Sequence, residues 1–476
     1  MANRNGSSIA SRCHVVLVPG FGGFDALGRV KYYAGITSLF QDWRRKHPRL
    51  PVVLHYFDNL PTVAVVTRAT RLRKYLAKRM ARGEILPTDR VVLVGHSTGG
   101  LDIRQLICDL HDRKNARTLV DGGCPVRAQD IRDRIQRVVF LSVPHWGTNI
   151  AEWVYSNSIL RRMVITNLQA AIKASQVYLV DQVEAGLAEE AARWAGTDVL
   201  LALRDALVEA NANWNGPGAT QVADAQEADS ELELYFRQMA SDFHVINDLT
   251  PEPHNCVKSP AHFSAEERKD ELALWAHPRI DTRSYATVGG RAFQFQVETR
   301  SPAPVFDLVD PICDLDVALG CGSSASNDLS YRLCYRACAG GPLPWPKPLG
   351  KVAKILEPRP PLPLELWDND GIVNTVSMLW PQGETVLVQA DHLDIVGHYV
   401  LRPRDVQSRP CSWEPPPGHD SYDTLRSAPH FRRNVFEQVW EEIFSFATRG
   451  VEELSNARRC TKTLGERGKE VLTDRL

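Results

Sequence analysis

Apolar residues along the first 145 positions fall in short runs separated by stretches of helical period. His14–Val18, Val52–Phe57, Val91–Val94 and Arg137–Val143 are brief runs rich in β-branched side chains, and the first ends in Pro19-Gly20. Runs that are apolar throughout, rather than alternating, predict parallel strands covered on both faces. Between them, Thr62–Arg82 and Gly99–Leu110 read as helices. Strand–helix–strand alternation predicts right-handed crossovers and an α/β fold with a doubly wound, mainly parallel sheet.

From about residue 150 the pattern changes. Residues 151–210 carry apolar side chains such as Ile159, Leu160, Met163, Leu168 and Ile172 at helical spacing, and helical pieces follow at 231–239 and 265–275. They predict a helical cap over 151–283, inserted into a core spanning 12–150 and 284–448. The sheet is expected to resume at Ser284–Gly290. Residues 298–365 are rich in Pro, Gly and Cys and end near the extended piece PRPPLPLE, which predicts a surface insertion within the core. A last strand at Thr385–Gln389 and a closing amphipathic helix at Phe431–Phe446 complete the core, leaving a charged tail at 449–476.

Composition narrows the function classes. With 56 basic and 57 acidic side chains the formal net charge is −1, which gives no reason to expect nucleic acid or an anionic membrane as the main partner. No apolar stretch approaches the roughly 20 residues of a spanning helix. The N-terminal MANRNGSSIASRC lacks the apolar region of a secretory signal, so the expected location is cytoplasmic. Four of the ten cysteines, Cys313, Cys321, Cys334 and Cys338, lie close together, but their spacing is not that of a common zinc site. Reduced thiols are the expectation, with a disulfide inside the insertion as the alternative.

The candidate chemistry centres on Gly95-His96-Ser97-Thr98-Gly99, directly after one predicted strand and directly before a helix. A serine on such a sharp turn needs small residues two positions to either side. The turn lifts the hydroxyl out of the sheet and aims the Thr98 N–H at a developing oxyanion. The glycine-rich loop Pro19-Gly-Phe-Gly-Gly23 follows the first strand and offers a second N–H, that of Phe21. An acid and a base must follow in the order Ser…Asp…His. Asp370 and His392 fit that order, 22 residues apart, with Asp368 as the rival acid and His398, His419 and His430 as competing bases.

Together these residues resemble the bacterial triacylglycerol lipases, the true-lipase branch of the α/β hydrolases. The likeness runs through Val16–Gly35, the serine turn, Ser142-Val-Pro-His-Trp-Gly-Thr148, Asn247-Asp-Leu-Thr-Pro251, Asn369–Val373 and Asp391–Asp394. It implies an α/β-hydrolase fold, with Ser97 as nucleophile, Asp370 as acid, His392 as base, and Phe21 and Thr98 as oxyanion donors. The family usually has His-Gly where this chain has Pro19-Gly20. Relatives often hold a structural calcium near the histidine. Asp394 matches one ligand position, but 329–367 contains no aspartate, only Glu357 and Glu365, so no metal or other cofactor is expected.

The resemblance implies a carboxylic ester hydrolase acting on a small-molecule ester or lipid, with at most transient contact with a lipid interface. Acyl transfer to an alcohol would use the same residues. A non-catalytic binding protein would be expected to lack part of the triad.

Overall fold

The computed structural model describes residues 11–156, 244–289, 338–339, 350–399 and 431–451, except for 24–25, 28–29, 113–118, 122–123, 255–258, 277–279 and 361. Seven strands form one sheet: β1 (Cys13–Val18), β4 (Val52–Tyr56), β5 (Arg90–His96), β8 (Ile135–Leu141), β9 (Asp281–Val288), β10 (Val352–Ile355) and β11 (Glu384–Gln389). Their order is β10-β11-β9-β8-β5-β1-β4, and every neighbouring pair is parallel. Two small antiparallel pairs stand apart, β2 (Ala26–Leu27) with β3 (Val30–Lys31), and β6 (Leu119–Asp121) with β7 (Cys124–Val126).

The strands lack polar alternation because both faces of the sheet are covered. Along β1, Val15 and Leu17 enter one core while Val16 and Val18 enter the other; β5 splits Val92 and Val94 from Val91 and Leu93 in the same way. The first core is closed by α1 (Ile36–Lys46) and α8 (Arg433–Thr448). In α8 the buried Val435, Phe436, Val439, Trp440, Ile443, Phe444 and Ala447 recur at three- and four-residue spacing, one continuous stripe. Burying a large apolar side chain stabilises by roughly 1.5–3 kcal/mol, which favours this docking.

The second core lies under α2 (Val65–Ala81), α3 (Thr98–His111), α4 (Ala128–Arg132), α5 (Asn149–Ser156), α6 (Val245–Leu249) and α7 (Ala265–Ala276). The last two fall in the segment expected as a cap, yet they pack into the core. Trp275 of α7 is 1% exposed, with its ring 5.7 Å from Phe140 and 5.6 Å from Trp380. Helix α7 has little apolar periodicity and is anchored by charge: Arg104 donates to both Glu271 oxygens at 2.8 and 2.6 Å. Residues 281–283, also placed with the cap, already belong to β9.

The predicted insertion differs at its C-terminal end too. Its residues Val352–Ile355 form β10, which pairs with β11 at the sheet edge. This strand is short and largely exposed, so it carries no apolar run to announce it. Of the helical stretch expected at 151–210 only 151–156 is described, within α5; residues 157–210 and 231–239, Cys313, Cys321, Cys334, His419, His430 and most of the tail lie outside the described residues. Among the described residues no helix is long and apolar enough to cross a membrane.

Candidate active site

The segment Gly95–Gly99 spans the junction of β5 and α3 at the centre of the sheet. Ser97 sits there with φ 52° and ψ −128°, a positive φ that a side-chain-bearing residue rarely adopts. The turn is tight enough to require its glycines. A Cβ on Gly95 would stand 2.8 Å from the Gly100 backbone, and one on Gly99 would stand 2.4 Å from the Val18 carbonyl. Ser97 is 5% exposed, and its N–H donates to the Leu141 carbonyl at 2.9 Å, tying the turn to β8. Thr98, in the first turn of α3, has a backbone N–H without an intrahelical acceptor.

Asp370 and His392 are brought together. His392 Nδ1 lies 2.7 Å from Asp370 Oδ2, and the His392 N–H also donates to the Asp370 carbonyl at 3.0 Å. The same carboxylate oxygen accepts from Thr287 Oγ1 at 2.6 Å, while Oδ1 accepts from the Ile372 and Val373 N–H groups. Thr287 Oγ1 in turn lies 2.8 Å from the hydroxyl of Ser142, another non-glycine residue at positive φ. Asp370 is thus fully buried yet supplied with four donors, which keeps a carboxylate tolerable there. The His392 ring stands 4.8 Å from that of His96, the residue before Ser97.

The rivals sit elsewhere. Asp368 Oδ2 accepts the Glu365 N–H at 2.7 Å within its own turn. His398 Nε2 donates to the Tyr32 carbonyl at 3.0 Å. Asp394, the matching calcium position, accepts the Asp391 N–H at 2.8 Å and so braces its own loop. Among the described residues no group of three or more His, Cys, Asp or Glu side chains is arranged to hold a metal ion.

The loop carrying Phe21 is held from behind by a buried ion pair that the sequence did not reveal. Arg68 Nε donates to Asp102 at 3.1 and 3.0 Å, and its Nη2 donates to the Pro19 and Gly20 carbonyls, both at 2.9 Å. In a trans peptide the C=O and N–H point in opposite directions. With the Gly20 carbonyl turned toward Arg68, the Phe21 N–H faces away from the guanidinium. Burial pushes the Asp102 carboxyl up to about 6, opposed by the adjacent Arg68. Gly20 itself lies against the serine turn: a Cβ there would stand 2.6 Å from Ser97 Cβ.

Arg68, Asp102, Thr287, Ser142, Tyr32 and His96 all escaped the sequence reading as site residues. Tyr32, His96 and Ser142 lay inside the segments that carry the resemblance, and Arg68, Asp102 and Thr287 inside predicted helices and a predicted strand, but none had a spacing that assigned it a contact.

A mainly parallel, doubly wound sheet bearing a strained serine at this strand-to-helix turn is the α/β-hydrolase fold. No family model matches the chain, and no curated protein matches it. Among solved structures it is similar to a lipase of Staphylococcus hyicus, at 15% identity over 92% of this chain and 95% of that one, with a TM-score of 0.42. It is similar to EstA from Clostridium botulinum at 15% identity over 82% of this chain and 84% of that one, with a TM-score of 0.40. Lipase 1 from Pelosinus fermentans shares 16% identity over 82% of this chain and 94% of that one, with a TM-score of 0.35.

Proposed function

We propose that this chain is a carboxylic ester hydrolase of lipase or esterase type, acting through Ser97, His392 and Asp370. The observation that carries the reading is the 2.7 Å bond from buried Asp370 to His392, whose carbonyl meets His96, the residue before a serine held at positive φ. A carboxylate on Nδ1 leaves Nε2 as the proton acceptor, the tautomer a general base requires.

In this reading His392 Nε2 takes the Ser97 proton as Oγ bonds to the ester carbonyl carbon. The C=O electron pair moves onto oxygen, where the Phe21 and Thr98 N–H groups stabilise it. Collapse breaks the bond to the alcohol, which leaves with the proton from His392, and the acyl group stays on Ser97. Water then gives a proton to His392 and its oxygen bonds to the acyl carbon; the bond from that carbon to Ser97 Oγ breaks, Oγ takes the proton back from His392, and the acid leaves. The substrate class is a small-molecule ester or a lipid. Neither a metal nor an organic cofactor takes part in these steps.

The test is hydrolysis of p-nitrophenyl esters of graded acyl length by wild type and Ser97→Ala, with fluorophosphonate labelling alongside. Wild type is expected to turn over and to label, and Ser97→Ala to lose both while unfolding at the same denaturant concentration. Equal hydrolysis by the two proteins would overturn the assignment.

A further inference from the structure

We propose that His96 is a positioning residue that locks the His392 loop to the serine turn and, through Tyr32, to the Phe21 loop. The inference rests on the ester-hydrolase reading, because only there must all three loops meet one reacting carbonyl.

The hydrogen-bond directions follow from what each atom is able to do. His96 is fully buried, and its Nε2 lies 2.9 Å from the His392 carbonyl. A carbonyl only accepts, so Nε2 carries the proton. Nδ1 is then an acceptor, and it lies 2.7 Å from the Tyr32 hydroxyl, which donates to it. The phenol oxygen also lies against Gly20, where a Cβ would stand 2.6 Å from it. This uncharged chain therefore runs from Tyr32, packed on Gly20, through His96 to His392. It touches the residue before Phe21, the residue before Ser97, and the candidate base itself.

Two further contacts keep the chain in register. The Tyr32 carbonyl accepts from His398 Nε2 at 3.0 Å, and the Ala34 N–H donates to the Val396 carbonyl at 2.9 Å. The His392 backbone is thus held on both sides, its N–H by the Asp370 carbonyl and its C=O by His96. Burial and the neighbouring His392 and His398 hold the His96 imidazole well below its ordinary value. His96 stays neutral when His392 takes the serine proton, and the directions of the chain do not reverse.

The three-way contrast His96→Phe, His96→Asn and His96→Gln tests this. Phe keeps a ring but makes neither bond. Asn places a polar atom near the Nδ1 position, and Gln places an N–H near the Nε2 position. Phe and Asn are expected to lower kcat by about 10- to 100-fold, the scale of an ångström-sized misplacement, with KM within about threefold. Gln is expected to recover most of that loss.

A readout independent of turnover is the low-field ¹H resonance of the His392 Nδ1–H bonded to Asp370, identified by its loss in Asp370→Ala. It should shift or broaden in Phe and Asn and return in Gln. Wild-type kcat and low-field resonance in His96→Phe would overturn the proposal. An inert wild type would sink the hydrolase reading, while the resonance would still report whether His96 positions His392. If His96→Phe fails to fold, the Asn-against-Gln comparison decides.

Discussion

Replacing Arg68 with methionine separates what the buried ion pair does for stability from what it does for the Phe21 loop. The guanidinium and Asp102 are both fully buried, and Arg68 also donates to the carbonyls of Pro19 and Gly20. Removing one partner of a buried pair costs about 3–5 kcal/mol, a large share of a typical 5–15 kcal/mol stability. The loss should also depend on pH. Burial already holds the Asp102 carboxyl at about 6, and without the cation it rises further.

An acid whose folded value lies above its unfolded one keeps a proton that the unfolded chain has released, so stability falls as pH rises between the two. Below about pH 6 both folded proteins carry protonated Asp102 and the deficit is constant. Above it the wild type ionises and the variant does not, so the deficit deepens by roughly 1 kcal/mol per pH unit. Urea unfolding at pH 5.5 and 7.5 reads this directly. Adding Asp102→Leu removes the stranded acid and should restore at least half of the stability. It should not restore activity, because Pro19 and Gly20 still lack their donor. The Phe21 N–H then loses its orientation, and in the proposed mechanism, where it is an oxyanion donor, its loss costs about 10²–10³-fold in kcat. A single variant within about 1 kcal/mol of wild type, or a double variant with full activity, would refute the reasoning.

Two other outcomes are expected. Gly20→Ala places a methyl 2.6 Å from both Ser97 Cβ and Tyr32 Oη, so the loop must retreat. A drop of about 100-fold in kcat with 1–3 kcal/mol of destabilisation is expected from p-nitrophenyl ester assays and urea titration; an active, unperturbed variant would contradict the loop's placement. Acid should destabilise the wild type. Burial lowers His55 to about 3 and holds His96 and His145 well below the ordinary histidine value. The unfolded chain takes up protons that the folded chain refuses, so the stability is complete above about pH 6.5 and is lost as pH falls. Well below pH 6 the three together contribute up to about 4 kcal/mol per pH unit, offset by about 1.4 from Asp102 in the opposite sense. Unfolding midpoints that stay level or rise between pH 6.5 and 5 would argue against these buried neutral imidazoles.

The strands that read best in the sequence are those buried on both faces. Val91–Val94 and Val15–Val18 are apolar at every position, and each became part of an internal strand. β10 is an exposed edge strand with nothing to bury, and it passed for loop. Helix α7 was visible as a helix but was assigned to the cap. Its attachment depends on Glu271 meeting Arg104, 167 residues away, and on Trp275 meeting Phe140 and Trp380.

The candidate site divides along the same physical line. Gly95-His-Ser-Thr-Gly99 was legible because a Cβ is excluded at both glycines, by the Gly100 backbone at Gly95 and by the Val18 carbonyl at Gly99, and that exclusion leaves its mark directly in the choice of glycine. The order of Ser97, Asp370 and His392 was legible because this fold takes its acid and then its base from the chain after the serine turn. By itself, then, the sequence determined the doubly wound sheet and the position of its strained serine. Only the tertiary structure decided that Asp370 rather than Asp368 reaches His392. It alone placed Arg68 behind the Phe21 loop and His96 beneath the His392 loop. Those contacts join residues up to 296 positions apart, and a hydrogen bond of that span has no local pattern to announce it.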